Sequence, residues 1–134
     1  MTLFFRRLSG FDENNPNEFW TRLEESSYSP NLEKFKPQWT DFLANYAEIL
    51  TTENSEKTER IAALNRVNPK YVLRNYMAQL AIDAADAGDY SLVDELFNLL
   101  LKPYDEQPKS EKWFAKRPDW AKTKVGCSML SCSS

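Results

Sequence analysis

The sequence has no histidine, three glycines and two cysteines in 134 residues. Without an imidazole it cannot build a Ser-His-Asp triad, a Cys-His pair or a His-containing zinc site. Two thiols are too few for a four-thiolate metal centre. Gly10, Gly88 and Gly126 are scattered, so neither GxxxxGK[ST] nor GxGxxG is present and the chain carries no recognisable nucleotide cradle of its own. Long apolar runs are missing too. The opening MTLFFRRL places its basic pair after a short apolar stretch, which fits neither a signal peptide nor a membrane span. An excess of positive charge is absent: seventeen basic residues against twenty acidic give −3, with an isoelectric point near 5.1. That removes the electrostatic reason to expect nucleic acid as a partner, and nothing points to a membrane. Both cysteines, Cys127 and Cys132, fall in the last eight residues, so the chain is no disulfide scaffold and an intracellular setting is expected.

What is present suits a packed domain, with 42% hydrophobic and 28% charged residues in a chain of one-domain length. No window sustains strand alternation, whereas several carry apolar residues at helical spacing, so the expected fold class is all-α. Trp39, Phe42, Leu43, Tyr46, Ala47 and Leu50 predict one buried face on a helix over 37–51, with Pro37 in its first turn. Leu73, Tyr76, Met77, Leu80, Ala81 and Ala84 predict a second helix, stopped at Gly88. Leu92, Val93, Leu96, Phe97 and Leu100 predict a third, capped by Asp89 or Ser91 and ended by Pro103. These last two form an antiparallel hairpin. Shorter helices are expected over 56–64, broken by Asn68-Pro69, and over 17–23, after a surface loop DENNPN. Leu3, Phe4, Phe5 and Leu8 on an opening helix should leave an apolar patch.

Texture and charge both change near residue 108. Residues 108–134 hold six basic residues against two acidic (+4), and residues 1–107 hold eleven against eighteen (−7). Pro103, Pro108 and Pro118 space out aromatic and basic residues there. The composition therefore divides the chain into a helical region, 1–107, and an extended basic arm with short helical turns and a flexible cysteine-containing tail, 108–134, whose charge suits it to lie on the acidic part.

Few side chains are arranged for chemistry. The carboxylate pairs Glu24-Glu25, Asp83-Asp86 and Asp94-Glu95 could ligate a divalent cation or act as acid and base, but on amphipathic helices they read as solvated faces. Lys116-Arg117 among Trp113, Phe114 and Trp120 is a mixture also found in single-strand binders, and a proline-punctuated arm packing its tryptophans on a partner surface is the better reading. In the tail, Cys127 and Cys132 sit among small polar residues, with Lys122 and Lys124 nearby to favour thiolate. Spacing alone leaves open whether these are redox thiols or incidental cysteines.

Several separated motifs, in order, resemble the C-terminal portion of the selenoprotein O family: NPKYVLRNYMAQLAI at 68–82, Gly88-Asp89, PYDEQP at 103–108, PDWA at 118–121 and the terminal SCSS. The MTLFFRRL opening resembles an internal stretch of the same family, and residues 12–59 match loosely. The resemblance implies a protein adenylyltransferase with a kinase-like (pseudokinase) fold, which binds ATP with Mg or Mn and transfers AMP to Ser, Thr or Tyr hydroxyls of protein substrates. The family's phosphate loop, Lys and Glu pair and metal-binding Asp and Asn lie upstream of the matched region. No catalytic, cofactor-binding or metal residue therefore carries over, and the chain alone is expected to be inactive. Its expected partner is the upstream kinase-like portion of the same protein. Cys132 occupies the position that is selenocysteine in many eukaryotic members and cysteine in bacterial ones, which implies a redox role. Ser131 replaces the cysteine that precedes it in the eukaryotic form, and Cys127 has no counterpart in the pattern. Location follows the family, cytoplasmic in a bacterium and mitochondrial in a eukaryote, and the SCSS ending favours the bacterial form.

Two other classes compete with this reading. The AxxxGDY turn at 84–90 also resembles one unit of a helical-repeat scaffold, which would make the chain a free-standing interaction module, although no second copy of the unit occurs. A small thiol oxidoreductase is the third option, and CxxxxC in a tail lacks the helix N-terminus that usually activates a redox pair.

Overall fold

The computed structural model describes residues 2–53 and 56–127. Among these residues the secondary structure is entirely helical: α1 (Thr2–Leu8), α2 (Pro16–Ser26), α3 (Lys36–Glu53), α4 (Lys57–Val67), α5 (Asn75–Asp86) and α6 (Ser91–Leu101), with short 3₁₀ turns at Leu32–Phe35, Pro108–Trp113 and Asp119–Lys122. The chain forms two compact units, Met1–Pro69 and Lys70–Ser134. The compositional boundary at 107/108 falls inside the second unit.

The first unit is built on aromatic packing. Phe11, Phe19, Leu23, Leu43 and Leu50 form its buried centre, with Phe4, Leu8, Trp20, Trp39 and Tyr46 packed around it. Phe19 meets Phe4 and Phe11 edge to face at centroid distances of 6.2 and 5.6 Å, a geometry that sets the positive ring edge against the negative face. The apolar patch expected on α1 is largely consumed here. Leu3 is buried, Phe4 and Leu8 pack on the core, and Phe5 is the member left exposed. On α3 the expected face is confirmed at Leu43 and Leu50, while Phe42 turns out to solvent and stacks on Tyr46.

Buried arginines close the first unit. The Arg6 guanidinium donates to the carbonyls of Asn65 and Asn68 at 2.8 and 2.9 Å, which satisfies orphan acceptors at the end of α4. Arg60 donates to the Phe11 carbonyl at 3.1 Å and pairs with Glu13 at 3.2 Å, and Lys57 binds Asp12 at 2.6 Å. The loop read as a plain surface connection is thus tied to α4 at two points. At the other end of α4 the Glu56 side chain caps the helix, accepting from the backbone N–H groups of Thr58 and Glu59.

In the second unit α5 and α6 form the expected hairpin. Gly88 takes φ +87°, and the N–H groups of Gly88 and Asp89 return to the carbonyls of Ala85 and Ala84. A left-handed residue at this point satisfies the last carbonyls of α5 without a Cβ penalty. Asp89 then accepts from the Ser91 N–H at the start of α6. The core comprises Tyr71, Tyr76, Met77, Ala81, Leu96, Leu99, Trp113, Ala121 and Cys127. Its last three members come from the segment predicted to be an arm with short helical turns lying on the acidic part, which carries the 3₁₀ turns and folds back against the hairpin.

Candidate functional site

The segment leading to the cysteines is held down by a series of polar anchors. The backbone N–H groups of Lys70 and Tyr71 both donate to the Pro103 carbonyl, at 2.8 and 3.0 Å. The Tyr71 hydroxyl donates to the Gln107 carbonyl at 3.1 Å, and the Gln107 side-chain amide donates to the carbonyls of Leu99 and Lys102 at the end of α6. Lys70, almost wholly buried, binds Glu106 at 2.5 Å and also Glu111, with its ammonium over the Phe114 ring at 5.2 Å. Burial opposes the Lys70 charge, but its hydrogen bonds to Glu106 and Glu111 outweigh it and raise its pKa above the ordinary lysine value. Proline and charge content disguised these anchors in the sequence. Their one signal was the density of polar residues in PYDEQP, too many for a plain helix stop.

Beyond residue 111 the anchoring continues. The Trp113 indole N–H donates to Glu95 at 2.7 Å, and Lys112 pairs with the same carboxylate at 2.8 Å. Arg74 donates to the Ala115 carbonyl at 2.7 Å. Trp120 stands edge-on to Tyr76 at 6.2 Å and carries the Lys124 ammonium over its face at 5.7 Å. The aromatic residues considered for base stacking, Trp113, Phe114 and Trp120, therefore pack within the unit, as the packing-arm reading expects, except that the surface they pack on is the chain's own.

Cys127 closes this series. Its N–H donates to the Lys124 carbonyl at 3.1 Å, Lys124 pairs with Asp83 on α5, and Asp83 also accepts from Gln79 at 2.7 Å. Gly126 has φ +90° and lies against Gln79, where an added Cβ would come within 1.9 Å of the amide oxygen. This close approach, which only glycine permits, delivers Cys127 into the core at 3% exposure. The expectation of an open thiol in polar surroundings does not hold for Cys127. Nor are the neighbouring lysines aimed at it: Lys122 binds Asp119 at 2.5 Å and Lys124 binds Asp83. Cys132 lies outside the described residues.

One carboxylate of each pair singled out in the sequence has similar employment. Asp83 and Glu95 are occupied as above, and Glu25 pairs with Arg7 at 2.8 Å. Among the described residues no group of three or more His, Cys, Asp or Glu side chains that could hold a metal ion is brought together, and no helix is long and apolar enough to cross a membrane.

These anchors give the unit an acid limit. Hydrogen bonds from Lys124 and Gln79 hold the Asp83 carboxyl below its ordinary pKa, and those from Lys112 and Trp113 do the same for Glu95. A carboxylate with a depressed folded pKa stabilises the fold above its unfolded value, and that stabilisation is lost as pH falls through the folded one. The thermal midpoint should fall below about pH 4.5, and less steeply in Glu95→Gln than in the parent. Parallel curves would remove Glu95 from the account.

Comparison with known proteins places this architecture. No family model matches the chain. Pairwise similarity does extend over all of it: it is 53% identical over 135 residues to the protein nucleotidyltransferase YdiU of Methylobacillus flagellatus, covering 100% of this chain and 26% of that protein. It is 52% identical to the Flavobacterium johnsoniae protein of the same name and 48% identical to that of Tolumonas auensis, each again over 100% of this chain and 26% of the relative. The chain corresponds to a C-terminal part of the YdiU, or selenoprotein O, family. It spans about a quarter of the length of the curated relatives it matches. The motif at 103–108 and residues 70–82 of the motif at 68–82 lie in the second unit, where Lys70, Tyr71 and Gln107 serve as structural anchors.

Proposed function

We propose that these residues form the C-terminal fragment of a protein adenylyltransferase, which transfers AMP from ATP to Ser, Thr or Tyr hydroxyls of protein substrates. The observation that carries this reading is whole-length similarity, at 42–53% identity, to the C-terminal quarter of proteins named protein nucleotidyltransferase. ATP and its Mg or Mn belong to the upstream portion, since the glycine-poor sequence has no phosphate loop and Glu25, Asp83 and Glu95 are engaged by an arginine and two lysines. The fragment contributes a folded support, the second unit, and Cys132, a redox-sensitive thiol in this reading. A cytoplasmic location accompanies it, the matched relatives being bacterial. A free-standing interaction module has the α5–α6 hairpin in its favour, but no repeat of that unit.

Labelled ATP tests the assignment. The purified 134-residue chain should transfer no label to an acceptor protein, whereas the Methylobacillus flagellatus protein carrying these residues in place of its own C-terminal quarter should transfer it in a metal-dependent manner. Chelator-sensitive transfer by the 134-residue chain alone would overturn the division of labour, and an inactive exchange protein would count against the activity.

A further inference from the structure

Helix α6 is more apolar than its own unit requires. Leu96 and Leu99 are buried and Leu92 is partly so, yet Tyr90, Val93, Phe97 and Leu101 are 65%, 44%, 62% and 61% exposed. Val93, Phe97 and Leu101 recur every fourth residue of α6, and Tyr90, the cap residue just before it, precedes Val93 by three, so the four follow one line along the helix and its cap. Apolar side chains thus occupy the buried face and a second stripe as well. A surface helix pairs its apolar face with a polar one, whereas a helix apolar over most of its circumference belongs to the interior of a larger body. Scattered exposed hydrophobic residues need no explanation, but a contiguous stripe of four, two of them aromatic, marks a contact surface.

Resting on the reading of the chain as a C-terminal fragment, we propose that the Tyr90–Val93–Phe97–Leu101 stripe of α6 is a docking surface for the upstream portion of the same polypeptide. The length of the relatives supplies the occupant. They continue for about three quarters of their length beyond the part matched here, and that part is C-terminal. A body about three times the mass of the fragment, covalently joined to it, meets the stripe at a far higher effective concentration than a second copy or a separate partner could reach. The stripe itself carries no charge. It suits permanent burial within one molecule better than a reversible encounter, whose interface would be more polar.

Hydroxyl-radical footprinting of Tyr90 and Phe97 tests this without any substitution. The probe is applied to the isolated 134-residue chain and to the full-length Methylobacillus flagellatus protein carrying these residues as its C-terminal quarter. Oxidation of both rings should be suppressed several-fold in the full-length protein relative to the isolated chain at low concentration. A second measurement uses Phe97→Ser with Leu101→Ser, which should lower the melting temperature of the full-length protein by about 4 °C or more while leaving that of the isolated chain nearly unchanged. Equal oxidation in both contexts would overturn the proposal. So would suppression that depends on concentration in the isolated chain, which assigns the stripe to a second copy, or destabilisation of the isolated chain, which assigns it to the 134 residues themselves. Nucleotidyl transfer is scored separately. Protected rings in an inactive protein leave the docking surface standing and remove the activity, and exposed rings in an active protein do the reverse.

Discussion

Replacing Trp113 with alanine is expected to raise amide hydrogen exchange across residues 119–127 by about a hundredfold or more. The side chain is buried between α5 and α6, within the cluster that includes Tyr76, Leu96 and Ala121, and its indole N–H is bonded to Glu95. Truncating a buried tryptophan costs about 3–5 kcal/mol. Exchange of amides that open locally scales with the population of the open form, at about tenfold for each 1.4 kcal/mol. The 3₁₀ turn Pro108–Trp113 has little intrinsic stability, since turns of this kind rarely persist without tertiary support. Loss of Trp113 should therefore release the residues that follow it and leave the α5–α6 hairpin in place. Trp113→Phe separates packing from hydrogen bonding. It keeps an aromatic ring in the cluster but leaves Glu95 with Lys112 alone, and it should recover most of the protection. Rates across 119–127 that stay within about twofold of the parent in Trp113→Ala would show that the segment is held elsewhere.

The elements that could be read in the sequence are those whose cause is local. The α5–α6 hairpin depends on helical periodicity and on Gly88, one residue with one conformational job, and both are visible without tertiary information. The break at Asn68-Pro69 is local in the same sense. Periodicity identifies an apolar face but does not say which face is covered when a helix has more than one. Phe42 on α3 and Val93 and Phe97 on α6 were expected inside, and stand exposed.

The short helical turns after Pro103 were legible, but the packing of that segment was not, for a related reason. Its prolines erase the helical period, while the contacts that order it, from Lys70 to Glu106 and Glu111 and from Glu95 to Trp113, join residues 18 to 41 positions apart. Buried cations were missed throughout. Arg6, Arg60 and Lys70 count as surface charge in any composition, and only the fold shows that their partners are backbone carbonyls and carboxylates brought to them from other elements. Of the candidate site, the sequence located the two cysteines but could not separate them. Gly126 was the available sign, since a glycine directly before a cysteine permits a backbone approach that other residues would block.

That separation leads to the second large expected effect, on thiol reactivity. In a Cys132→Ser variant of the 134-residue chain, the remaining thiol of Cys127 should be alkylated about a hundredfold more slowly under native conditions than in denaturant, because reagent reaches it only when the segment opens. Adding Trp113→Ala should restore much of the rate, linking the thiol to the same anchor. A disulfide between Cys127 and Cys132 would close a short loop at little entropic cost. Any bond that drew Cys127 out of the core it shares with Met77 and Ala121 would lose that packing, which opposes it. Mild oxidation should accordingly leave Cys127 reduced. In the full-length adenylyltransferase of the proposal, Cys132→Ser should abolish the response of transfer rate to dithiothreitol and Cys127→Ser should preserve it. Rapid native alkylation of Cys127, or equal loss of the response in both variants, would make it a working partner of Cys132 instead of a structural residue.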